Sequence, residues 1–176
     1  MKIYQRICRF LDGLYTASGV VASLFLISIL ALIVAQMVAR WTATTFSGAP
    51  NYAGYCMAAT SFFAFAYALN RGAHIRVSIL LKALGTKQYW LELFCFTAGS
   101  VISTYVAWFA IRANRWSHKF NDISQGQDAT PIWIPQLAMS IGAVLLAICF
   151  WDNLLRLILL KEHAIKTHAV GEEGEL

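Results

Sequence analysis

Four long runs of the chain, residues 13–39, 41–70, 93–111 and 129–151, carry no Asp, Glu, Lys or Arg. Each comes close to or exceeds the roughly 20 apolar residues that cross a hydrocarbon core. The pattern predicts an all-α integral membrane protein with transmembrane helices at about residues 15–39, 52–69, 91–111 and 133–158. Their punctuation follows the usual physics. Arg40 and Trp41 supply a charge and a ring where the first helix leaves the hydrocarbon. Ser47, Gly48, Pro50 and Asn51 favour a turn before the second. Glu92 is expected in the first turn of the third, beside the positive end of its macrodipole. Pro131, Trp133 and Pro135 announce the fourth, because a first helical turn does not need the missing proline N–H.

The connections differ from one another. Residues 71–89 mix Arg71, Arg76, Lys82 and Lys87 with Ile75, Val77, Ile79, Leu80, Leu81 and Leu84. Such mixing predicts an amphipathic interfacial helix between helices 2 and 3, at about residues 72–88; a plain basic loop is the alternative. Residues 117–130, SHKFNDISQGQDAT, form the longest polar loop, and the third helix is expected to continue past Arg112 and Arg115 towards it. Residues 1–166 then make one transmembrane domain, and 167–176 a flexible acidic tail.

Composition sharpens this picture. Only 13% of the 176 residues are charged and 59% are hydrophobic, against about a quarter charged in soluble domains. No stretch is left to build a separate soluble core. The net charge of +5 sits beside the spans, which favours anionic membrane lipids and gives no sign of nucleic-acid binding. The basic start, Lys2, Arg6 and Arg9, imitates a signal peptide, but the apolar run after it outlasts the roughly 7–15 residues of such a segment, so it reads as a retained helix.

Sidedness follows from counting. With four crossings, the N-terminus, the middle connection and the C-terminus share one side and hold ten Lys and Arg residues; the other two connections hold four, namely Arg40, Arg112, Arg115 and Lys119. The excess puts both termini in the cytoplasm.

Candidate chemistry is sparse. The span centres hold no ionisable group, which disfavours a small autonomous exporter built on a buried carboxylate. Asp152 lies near the end of the last span, with Arg156 one turn on as an ion-pair partner. His74, His118, His163 and His168 are expected outside the spans, so no haem or metal site is expected. Cys8, Cys56, Cys95 and Cys149 lie too far apart for a zinc motif or a disulfide framework. Gln36, Ser61, Ser100, Ser103, Thr104 and Gln136 read as helix-to-helix hydrogen-bonding residues, and no nucleophile stands in an enzyme motif. The spaced pairs Ala64/Ala68, Ser100/Thr104 and Ala138/Gly142 are candidate packing sites.

After the second span the chain reads ALNRGAHIRVSILL (68–81), and before and within the fourth TPIWIPQLAMSIGAVLLAI (130–148). Set in a four-helix chain of this length, these stretches resemble the small membrane subunit of tripartite ATP-independent periplasmic (TRAP) transporters, the DctQ-like family. The run Arg71, Gly72, His74, Arg76, Val77 is the most specific part. Ser78 stands where the family often has Asp, and Ser140 where it often has Pro. The resemblance implies a bacterial inner-membrane subunit that carries no cofactor and binds no substrate. It would pack on the static scaffold of a large permease subunit, helix 2 and its aromatics contributing either to that contact or to packing within this subunit. That large subunit binds the coupling ion, commonly sodium, and moves an organic acid delivered by a periplasmic binding protein. Arg71, His74 and Arg76 would then anchor the interfacial arm at headgroups or on carboxylates such as Glu92 or Asp152. Arg112, Arg115, Lys119, Asp122 and Asp128 would help dock the binding protein. An anchoring tetraspan of another membrane complex is the alternative function.

Overall fold

The computed structural model describes residues 2–42, 48–71, 88–126 and 128–160. They form four helices: α1 Lys2–Trp41, α2 Ala49–Asn70, α3 Gln88–Phe120 and α4 Trp133–Leu160. All four are long and apolar enough to cross a membrane. The expected interfacial arm falls outside the described residues.

Two of the helices overshoot the bilayer. The 40 residues of α1 and the 33 of α3 extend roughly 60 and 50 Å at 1.5 Å per residue, against a hydrocarbon core of about 30 Å. The described part of α3 starts at Gln88, so Glu92 lies beyond its first turn, which contains no acid. Glu92 is buried, at 5% exposure. Its placement is therefore a matter of packing, not of the helix dipole as the sequence suggested.

Each helix has specific neighbours. α1 packs on α2, α2 on α4, and α4 on α3, while α1 and α4 touch only lightly. The order α1–α2–α4–α3 is an open row, with α1 and α3 at its edges. Small residues let the helices approach one another. A Cβ at Gly142 of α4 would stand 2.7 Å from the Phe62 backbone of α2, so this crossing needs a glycine. Ala49, Ala59 and Ala66 are the buried alanines of α2, whereas Ala64 and Ala68 are only half-buried.

The aromatics of α2 mostly serve packing within the chain. Phe63 stacks on Phe25 of α1, with centroids 6.2 Å apart. Phe62 packs against the Ala107, Ala143 and Ala147 cluster between α3 and α4, and Tyr67 covers Gly19 of α1. Phe65 remains exposed. The large exposed apolar residues lie mainly on the row's edges, including Val20, Leu24, Ile27, Val34 and Val38 of α1 and Phe94, Val101, Tyr105 and Trp108 of α3.

Candidate functional site

Polar chemistry gathers at two levels of the row. From Trp133 to Asp152, α4 rises roughly 28 Å, nearly the thickness of the hydrocarbon core. The two levels therefore match the two faces of a membrane.

At the Asp152 level, Arg156 holds two carboxylates. Its Nη2 lies 2.8 Å from Asp152 Oδ2 and 3.1 Å from Asp12 Oδ1 of α1, and its Nε donates to Asp152 Oδ1 at 3.0 Å. The Tyr15 hydroxyl approaches Asp152 at 3.5 Å. Asp152 and Arg156 are 9% and 8% exposed. An arginine fork on a carboxylate one turn away on the same helix has good geometry with both charges shielded from water. Asp12 then ties α1 to α4 at the point where those helices meet.

The same level holds further polar groups. Asn153 is fully buried; its Nδ2 donates to the Cys149 carbonyl at 2.9 Å, and its Oδ1 has no partner among the described residues. Asn70, at the end of the parallel helix α2, likewise has a buried Oδ1 with no partner among the described residues. The sequence pointed to Asp152 and Arg156 but missed Asp12 and Tyr15. Their signal was an acid among basic flanking residues, one turn before a tyrosine on the same helix face.

Of the expected arm residues, Arg71 alone is described. It follows α2, donates its backbone N–H to the Tyr67 carbonyl at 3.0 Å, and sets its guanidinium 5.5 Å from the Tyr67 ring centroid. Gly72, His74 and Arg76 lie outside the described residues. Asp152, one expected target of the arm, is already engaged by Arg156.

At the other level, the segment joining α3 to α4 is tied down by main-chain bonds. Ser124 N donates to the Thr130 carbonyl at 2.8 Å, and Ile132 N to the Asp122 carbonyl at 3.0 Å. Side chains fasten it to α2. Asn51 Nδ2 donates to Asp128 Oδ1 at 3.0 Å. Tyr55 Oη lies 3.1 Å from Asp128 Oδ2 and 2.7 Å from Ser124 Oγ. A phenol has one proton, so Tyr55 donates to the carboxylate and accepts from Ser124. Hydrogen bonding, from the Thr130 hydroxyl foremost, holds the Asp128 carboxyl down at about 2. Gly48, with φ of 88°, opens α2 beside this knot, a left-handed conformation that suits glycine.

The five residues expected to dock a binding protein separate here. Arg112 lies over Trp108 at 5.5 Å and Lys119 over Trp116 at 6.0 Å, both exposed, with Asp122 exposed at the end of α3. Asp128 is committed to the knot. Arg115 borders a groove of about 280 Å³ between α3 and α4, lined also by Asn114, His118, Trp133 and Leu137. The His118 ring meets Trp133 edge-on at 5.4 Å.

Among the described residues, no group of three His, Cys, Asp or Glu side chains could hold a metal ion. A family profile described as "Tripartite ATP-independent periplasmic transporters, DctQ component" matches residues 29–160. No curated protein and no solved structure matches the chain.

Proposed function

Because the chain belongs to the DctQ family of tripartite ATP-independent periplasmic transporter components, we propose that it packs on and stabilises the scaffold of the large permease subunit. The observation that carries this reading is where the charge lies. Charged side chains sit at the two membrane levels, and the α4 segment between them, through Trp151, is free of charge. A pathway for an organic acid or its coupling ion is commonly marked by ionisable groups at mid-depth, and the α4 segment carries none there. Substrate and sodium sites therefore belong to the large subunit. The edges of the row, α1 and α3, offer the broad apolar surface that a second membrane protein can cover.

The excess of basic residues on the side of the termini supports a cytoplasmic location for both, in the bacterial inner membrane. The α3–α4 segment then faces the periplasm. Arg112 and Lys119 in the last part of α3 and Asp122 just after it are the outward charges on that side, and they suit steering of a soluble binding protein, since exposed charges chiefly tune encounter. The system would run as an ion-gradient symporter for an organic acid.

Affinity purification in mild detergent tests the central claim. A large polytopic partner should come along with the chain, and its absence from intact membranes' extracts would sink the reading. A cytoplasm-specific reporter fused after Lys166 should be active; silence would reverse the orientation. Reversing charge at Lys119 and Asp122 should slow uptake in a salt-dependent manner, and unchanged kinetics would remove the docking role.

A further inference from the structure

We propose that the groove between the end of α3 and the start of α4 binds the headgroup of an anionic phospholipid, whose acyl chains run down α4. Three observations converge on this occupant. The first is depth: the groove stands at the Trp133 level, one hydrocarbon thickness from Asp152, where a headgroup would lie. This holds whichever side faces the cytoplasm, and it does not depend on the contact with a large subunit.

The second is chemistry. Asn114, Arg115 and His118 bring N–H donors to one rim, and no carboxylate among the described residues lines the groove. The Arg115 guanidinium forms no ion pair with an acid among the described residues. A phosphodiester matches the planar fork of arginine. Trp133 closes the rim with an amphipathic ring of the type that favours the headgroup region.

The third is what lies below. Leu137 lines the groove, and Leu137, Ile141 and Ile148 are all exposed. Their spacing places them on one face of α4, an apolar strip that leads from the rim towards mid-membrane. Inorganic phosphate would satisfy Arg115 but leave this strip bare; a diacyl lipid covers both. Arg112 and Lys119 do not belong to the site, because they lie over Trp108 and Trp116 on the outward side of α3.

Native mass spectrometry of the purified full chain tests this, with phosphatidylglycerol and phosphatidylcholine of identical acyl chains as probes. Phosphatidylglycerol should be retained preferentially, and excess inorganic phosphate should not displace it. The double variant Arg115→Gln/His118→Gln should weaken its retention by roughly tenfold or more, the scale of losing a charge-assisted hydrogen bond. Lys119→Gln should weaken it by less than about twofold, as expected of an exposed charge. Equal retention of both lipids, displacement by phosphate, or equal losses in both variants would overturn the proposal. Photo-crosslinking of wild-type chain with an acyl-diazirine phosphatidylglycerol gives a readout free of folding effects. Label should concentrate on residues 133–148; label only on α1 or α2 would overturn the site.

Discussion

The two polar ends of the row each centre on aspartate but are held by different physics. At one end Asp152 and Asp12 share Arg156, with Asp152 and Arg156 largely out of water and Asp12 at the rim. At the other, Asp128 is held by neutral donors from Asn51, Tyr55 and Thr130 in contact with solvent. A buried ion pair gains little over a well-packed apolar substitute but is costly to break on one side. An exposed carboxylate with neutral partners loses less, because water replaces what is removed. The first arrangement therefore makes helix pairing unforgiving of partial change, and the second fastens a loop gently.

The largest expected effect comes from breaking the buried end asymmetrically. Arg156→Ala leaves two carboxylates without their cation and should cost about 3–5 kcal/mol, read as a loss of thermal stability of the purified chain. The double change Arg156→Leu/Asp152→Leu removes both charges and should cost clearly less. If the double variant were the worse, the comparison would fail. Asp152→Asn keeps shape and leaves Arg156 with Asp12; about 2–3 kcal/mol is expected, the scale of a charged hydrogen bond.

Gly142→Leu acts midway between the ends. It should push α4 from the Phe62 backbone at about 1–3 kcal/mol, an overpacking cost. Proximity labelling between cysteines placed on α2 and α4 would report the separation. The smallest effect belongs to Asp128→Asn, visible as faster hydrogen exchange of residues 121–132 with little change in overall stability. The pH dependence has a definite sign. The Asp128 carboxyl is lowered from 3.8 to about 2, so its contribution is complete above pH 4 and is lost as pH falls through about 2. Loop protection, taken relative to the intrinsic exchange rate at each pH, should fall in that window in the wild-type chain and stay flat in Asp128→Asn.

The four spans were legible because each charge-free run is a local property. So was the Asp152–Arg156 pair, since four residues on a helix bring side chains together without tertiary information. Asp12 was not legible, because its partner is 144 positions away and its neighbours Arg6 and Arg9 made it look like part of an ordinary flank. Asp128 read as a docking charge, and its place in the knot was hidden for the same reason: Asn51 and Tyr55 reach it only once α2 stands beside the loop. The aromatics of α2 left contact with another subunit and packing within the chain both open; Phe62, Phe63 and Tyr67 face helices of this chain, while Phe65 stays exposed. An alternation of small and bulky residues reports close packing but not with whom.

The row order also constrains how the chain is made. Neighbours α1 and α2 are consecutive, as are α3 and α4, so each hairpin can assemble as it emerges. The seam between α2 and α4 cannot close until the last helix has entered the membrane. Arg156 arrives with α4, after the other three helices have been made, and until then Asp12 has waited beside the first hairpin without its cation. A chain truncated before Arg156 should therefore be recognisable to membrane proteases by that unpaired acid, whereas with α4 in place the acid has its cation.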